Sequence, residues 1–222
     1  MANPSNFYRE LRVNFPLAPE PVMQFAVVDA VRTFTARTLL WQYAPARINV
    51  ETNESTYLIN VPDSTNGEFT HVKSVKFKLD GTADTQFTDL TPFNTDDKSD
   101  SWEYHTGNAP NEFTIIFGVA EGTYIRLYPI PNEASASGLE VTINLKLKLD
   151  STTFPDWIDL KYHEIIIAGA KGNLFAQVGM PWYDAKLALY WLSFFDDGIA
   201  NAKYDKYTAN TNRPMRVKMR SF

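Results

Sequence analysis

His163 and Glu164 begin a pattern that could hold a metal. In a zinc-protease helix a second histidine stands four residues after the first, so that both imidazoles share one face and the intervening glutamate serves as base. That position here is Ile167, which leaves the metal face incomplete and makes His163 a helix-surface or interface histidine. Asp96, Asp97 and Asp100, with Lys98 and Ser99 between them, loosely suggest a calcium loop. The run lacks the central glycine and terminal glutamate of an EF-hand and reads as a solvated acidic loop. Asp196 and Asp197 are adjacent on an expected helix, so their carboxylates point in different directions and form no acid/base pair. The chain contains no cysteine, which removes thiol catalysis, disulfides and thiolate metal sites. The nucleophile elbow, the phosphate loop and the dinucleotide glycine fingerprint are all absent. The expectation is no catalytic residue, no metal and no cofactor.

A residue pair that could do something else is Trp102 with Tyr104, close in sequence to Asp100 and Asn108. Such rings could form a sugar-stacking platform. They could equally anchor the long polar stretch 91–112 in which they stand, and that reading is the simpler one.

The elements that would position these residues fall into three blocks. Residues 1–19 are read as an extended arm, because Pro16 and Pro19 discourage regular structure. A helix is expected from Glu20, with Pro21 in its first turn, to about Tyr43-Ala44-Pro45. Val27, Val31, Phe34, Thr38 and Trp41 fall near one face of it. The period then shortens to that of strands, at Ile48–Thr52, Ser55–Val61, His71–Leu79, Phe113–Phe117, Tyr124–Pro129 and Leu139–Leu149. In the last, Val141, Ile143, Leu145, Leu147 and Leu149 alternate with polar residues, predicting one buried and one wet face. No crossover helices separate these strands, so the pairing should be mostly antiparallel. Asn66-Gly67 and Asp80-Gly81 are turn signals.

The third block opens at Pro155-Asp156-Trp157 and is expected to run as a helix to about Val178. Gly169 and Gly172 lie inside it, and each costs on the order of 1 kcal/mol against alanine, so close packing should require them. Pro181 and Trp182 mark a corner, and Asp184 is a candidate N-cap for a last helix that buries Leu187, Trp191, Phe194 or Phe195, and Ile199. The segment after Asn210 alternates once more: Met215, Val217 and Met219 on one face, Arg216, Lys218 and Arg220 on the other. That pattern suits a strand added to a sheet edge, either the chain's own or a partner's.

The expected fold class is therefore α+β. A helical body, made of an N-terminal helix and a C-terminal αα-hairpin (20–45 and 155–210), carries a mostly antiparallel, sandwich- or barrel-like β-rich block (46–150). Extended termini flank these, an arm at 1–19 and a basic tail at 211–222. At 222 residues with 44% hydrophobic content the chain can bury a core without staples. Met1 to Glu10 is polar, so no signal peptide is expected, and no apolar run is long enough to span a membrane. The net charge of −5 is unevenly spread. Residues 203–222 carry six basic side chains against Asp205, or +5, which leaves −10 for the remainder. An acidic body with a basic tail predicts that the tail meets something acidic.

The ordered set of local phrases resembles the head-to-tail adaptors, or neck proteins, of tailed bacteriophages. The phrases are an early helix ending near Trp41, Tyr57-Leu58-Ile59-Asn60-Val61-Pro62, Ile125-Arg126-Leu127-Tyr128-Pro129-Ile130-Pro131, the Ala168-Gly169-Ala170 helix, the Pro181-Trp182 corner, and a closing helix with Phe194-Phe195 and Ile199-Ala200-Asn201-Ala202-Lys203. The resemblance covers nearly the whole chain. It implies a non-enzymatic virion protein in the neck or tail region, assembled in the host cytoplasm. It further implies a homo-oligomeric, twelve-copy ring beneath the portal protein, with tail nozzle, tube or fibre proteins attached below. Such a ring encloses DNA without reading its sequence, and an acidic lumen would repel phosphates. The expected partner-binding residues, toward the portal or a neighbouring subunit, are Arg213, Met215, Arg216, Val217, Lys218, Met219, Arg220 and Phe222. Gly169, Gly172, Pro181, Trp182 and Trp191 are expected to pack the helices. The alternatives are another tail or baseplate attachment component, or a carbohydrate-binding β-sandwich.

Overall fold

A computed structural model describes residues 1–79, 86–93, 105–107, 109–118 and 122–207. The chain forms two compact units, one of Met1–Trp41 with the chain from Lys146 on, the other of Gln42–Leu145. Helices at both ends and a strand-rich middle make this an α+β protein, as expected from the order of periodicities.

The helical unit begins differently from the extended arm expected for residues 1–19. Pro4–Phe7 forms a 3-10 turn, capped by Asn3, whose side chain accepts the Ser5 N–H at 2.9 Å. Helix α1 (Tyr8–Asn14) follows directly. The physical reason lies in the spacing of Phe7, Leu11 and Phe15, which stand four apart, are fully buried and bury one stripe. The prolines do not oppose this. Pro4 occupies a first-turn position where no N–H is needed, and Pro16 and Pro19 only end the segment.

Helix α2 (Glu20–Thr38) buries Met23, Val27, Val31 and Phe34 without residual exposure. It stops five residues before the expected Tyr43. Leu39 takes a left-handed conformation (φ 53°), and its N–H closes the last turn on the Thr35 carbonyl at 3.1 Å. The next residues are claimed by a sheet, Gln42–Tyr43 forming strand β1. Helix α3 (Asp156–Phe175) also ends before the expected Val178 and is kinked at Tyr162. Helix α4 (Ala185–Tyr207) packs along α3. Asp184 caps it, its Oδ1 accepting the N–H groups of Lys186 (2.9 Å) and Leu187 (3.0 Å).

The β unit holds two sheets and a two-stranded ribbon. In the first sheet β1, β11 (Ser135–Leu147), β4 (Gly67–Phe77) and β5 (Thr88–Asp89) lie in that order, with β2 (Ile48–Val50) also pairing β11. The second has the order β3 (Thr56–Ile59), β9 (Gly122–Tyr128), β8 (Glu112–Gly118), β6 (Thr91–Pro92). β7 (Thr106–Gly107) and β10 (Ile130–Pro131) make the ribbon. The β8–β9 ladder is antiparallel, while β6–β8 and β7–β10 are parallel. Val141, Ile143, Leu145 and Leu147 are buried on β11 as their alternation predicts. The opposite face is not wet: Asn144 is buried beneath the β1 pairing, and Thr142 and Lys146 are half-buried. Leu149 lies beyond the strand and is exposed. Asn66-Gly67 does turn the chain, with Asn66 at φ 54°. Asp80-Gly81 lies outside the described residues.

Candidate interaction surfaces

The helix-packing residues come together on α3 and α4. A Cβ added at Gly169 would lie 2.9 Å from the Phe195 ring and 3.0 Å from the Ala30 methyl. One added at Gly172 would lie 2.8 Å from the Leu192 side chain and 3.2 Å from its backbone nitrogen. The absence of side chains is what lets three helices approach here. Gly198, which the sequence reading did not single out, does the same from α4, where a Cβ would meet Ile165 at 2.8 Å. The signal was available, since Gly169 and Gly172 required a close partner and Gly198 is the glycine of the facing helix.

Between these helices the chain turns through Gly179 (φ 86°). The half-buried Trp182 donates from Nε1 to Gln177 Oε1 at 3.3 Å, while Pro181 stays exposed.

The buried stripe of α4 holds Phe195 and Ile199 as expected, with Ala188 and Ala202 beside them. Leu187 is exposed against expectation, together with Leu189, Tyr190 and Phe194. Small residues were passed over in the sequence because bulk usually marks the core. Against the glycine face of α3, alanine is what fits. Trp191 is half-buried at the border, edge-to-face with Tyr190 (5.3 Å between centroids) and Phe194 (6.3 Å), with the Lys171 ammonium 4.5 Å above its ring. Tyr190 and Phe194 thus form an exposed aromatic face, with Trp191 at its border with the packed side.

The three histidines are dispersed, and among the described residues no cluster of His, Asp or Glu could hold a metal. His163 ties the N-terminal segment to α3. Its ring stacks on Phe7 at 4.4 Å, Nδ1 meets Asp159 Oδ1 at 2.6 Å and Nε2 meets Glu10 Oε1 at 3.0 Å. Burial alone would lower its pKa, but the hydrogen bonds to Asp159 and Glu10 outweigh that and raise it above the ordinary histidine value. His105 stacks edge-on against Tyr128, and His71 is exposed on β4.

His71 borders a groove of about 590 Å³ in the β unit, between β4 and β8. Phe69, Val75, Leu90, Phe113, Ile115 and Phe117 line it. Phe69 and Phe117 meet edge-on across it at 6.0 Å, and Phe117 is 70% exposed.

Charge separates the parts sharply. Gln42–Leu145 contains six basic and fifteen acidic residues, a net of −9. Residues 208–222 contain four basic and no acidic residues, and the rest of the chain carries eleven of each sign. The tail residues Arg213, Met215, Arg216, Val217, Lys218, Met219, Arg220 and Phe222 lie outside the described residues, as do Trp102, Tyr104 and Asp96 to Asp100.

With these surfaces in view, the match to known families is informative. The family model of the SU10 adaptor protein matches residues 9–218. The chain belongs to the SU10 adaptor protein family. The match spans both units and reaches into the basic tail. It agrees with the head-to-tail adaptor resemblance carried by the ordered phrases. A search of curated proteins found no match. The family is one of structural adaptor proteins. Among the described residues no helix of the adaptor is long and apolar enough to cross a membrane.

Proposed function

We propose that this adaptor joins the portal of a phage head to the tail, as a ring of identical subunits in the neck of the virion. The observation that carries the reading is the family match over residues 9–218. Two features of the chain support it. The aromatic face of α4 exposes Tyr190 and Phe194 at 61% and 46%, a surface suited to contact between subunits. The basic tail, with Arg213, Arg216, Lys218 and Arg220 and no acid, is suited to an acidic partner, whether portal or neighbouring subunit. The twelve-copy number, the tail nozzle or fibre partners and the passage of DNA through the ring belong to the same proposal. So does the division into helical body, β-rich block and tail as separate working parts. The ring acts by geometry and charge and needs no cofactor.

Negative-stain electron microscopy of the protein mixed with the portal protein of the same genome tests it. An extra ring on one end of the portal, with a countable copy number, is the expected result. A competent portal ring that stays bare, with the adaptor intact, removes the portal as partner and turns the search to other tail components. Ending the chain at residue 210 is expected to abolish attachment while circular dichroism stays native; attachment at the full-length level would remove the tail from this role.

A further inference from the structure

We infer that α4 is the meeting face of two copies of the free chain, paired antiparallel about a two-fold axis through the middle of the helix. The contact lies within the helical unit and does not rest on the ring. Neighbours in a cyclic ring meet through two different patches, so ring assembly exchanges this contact for another.

Exposure is concentrated on α4 and the corner before it. Eight of the sixteen large hydrophobic side chains exposed among the described residues fall between Val178 and Tyr204. Single exposed apolar residues are ordinary on any surface, whereas a contiguous group marks a contact. Lys186, Tyr190, Phe194 and Asp197 follow one another at steps of four, four and three, so they share one side of the helix. All four are exposed, while Ala188, Phe195, Ile199 and Ala202 hold the packed side. Ser193, exposed beside the two rings, is short enough to let a second helix approach.

The order of charges identifies the occupant. Lys186 stands at one end of the aromatic pair and Asp197 at the other, and neither side chain has a partner among the described residues. The adjacent Asp196, by contrast, is held by Arg37. Lys186 and Asp197 are separated by about three turns, roughly 16 Å along the helix. An antiparallel copy turned about a point between Trp191 and Leu192 brings Lys186 opposite the partner's Asp197 and Tyr190 opposite the partner's Phe194. Each pair then occurs twice. A parallel copy would set lysine against lysine and aspartate against aspartate, and like charges in register are destabilising. The face is therefore complementary to itself, which is what a two-fold contact requires. Pairing in this way keeps Tyr190 and Phe194 covered until assembly.

Analytical ultracentrifugation of the full-length chain tests the contact. The expected result is a monomer–dimer equilibrium with the dimer predominant at a chain concentration of about 100 µM. Lys186→Glu and Asp197→Lys, each alone, should weaken dimerisation at least about tenfold. The double variant restores opposite charges in exchanged places and should dimerise within about threefold of the native chain. A native chain that stays monomeric at that concentration overturns the inference. So do single variants without effect, or a double variant no tighter than the singles. A series of species heavier than a dimer also overturns it, because a two-fold contact closes at two copies. None of these outcomes bears on portal attachment. Cross-linking gives a readout that does not depend on charge. The chain has no cysteine, so Lys186→Cys and Asp197→Cys chains carry one thiol each. A mixture of the two, treated with a short bis-maleimide, should give dimer at least about tenfold faster than either chain alone, in which the paired thiols lie about 16 Å apart. Equal rates in the mixture and in the separate samples overturn the antiparallel pairing.

Discussion

In the helical unit Gly169, Gly172 and Gly198 remove side chains so that α3 approaches α2 and α4 until Phe195 and Leu192 fill the space. In the β unit a groove between β4 and β8 keeps apolar residues such as Phe117 exposed. One unit closes its packing by subtraction of bulk, while the other keeps an apolar groove. The charge follows the same division, balanced in the described helical unit and strongly acidic in the β unit. A closed, neutral packing resists change and serves as a frame.

The sharpest way to break this contrast is at the two neighbouring phenylalanines of α4. Phe195→Ala removes a ring buried against Gly169 and is expected to cost about 3–5 kcal/mol, read as a lower denaturant midpoint. Phe194→Ala, one residue away but exposed, is expected to change stability by less than about 0.5 kcal/mol. Its effect should appear in assembly instead, as weaker self-association or portal binding by sedimentation. Equal losses of stability in both variants would dissolve the distinction between packed and partner-facing sides of the helix.

A smaller but diagnostic effect is expected at Gly169. Gly169→Val forces new atoms against Phe195 and Ala30 and should destabilise by about 1–3 kcal/mol. Combining it with Phe195→Ala should cost less than the sum of the two, because the cavity of one receives the bulk of the other. Strict additivity in a double-mutant cycle would mean that the glycine is not there for that contact.

The smallest expected effect is on pH dependence. The His163 pKa is raised in the fold, burial lowering it but the Asp159 and Glu10 hydrogen bonds prevailing. The stabilisation is thus fully present below the unfolded histidine value of about 6.5 and is lost as pH rises through the higher folded value. The groups are partly exposed, so the change should stay under about 1 kcal/mol. Stability measured across pH 5 to 9 should show this loss in the native chain and a flattened profile in Asp159→Asn. An unchanged profile in the variant would assign the pH dependence to other groups.

Much of this architecture could be read from the chain. Alternation on β11 marked its buried side, Asp184 announced the cap of α4, and the mid-helix glycines called for a close neighbour. Where the expectation failed, the cause was the third dimension. Prolines at 16 and 19 suggested an arm at the N-terminus, yet the stripe of Phe7, Leu11 and Phe15 found a face to bury against and made a helix. On α4 Leu187 and Trp191 were expected in the core, but the glycine-lined neighbour accepted Ala188 and Ala202 beside Phe195, leaving Leu187 exposed and Trp191 half-buried. The groove was not visible in the sequence at all. Its walls come from β4 and β8, separated by more than thirty residues of sequence.

Periodicity, turn chemistry and charge placement are local, and through them the sequence by itself determined the α+β class, the order of the elements, the family resemblance and the acidic body with its basic tail. Which side of a helix is buried, where a strand stops pairing and which residues share a groove depend on what arrives from distant parts of the chain. The tertiary structure alone decided those, because burial and backbone pairing are properties of neighbours in space.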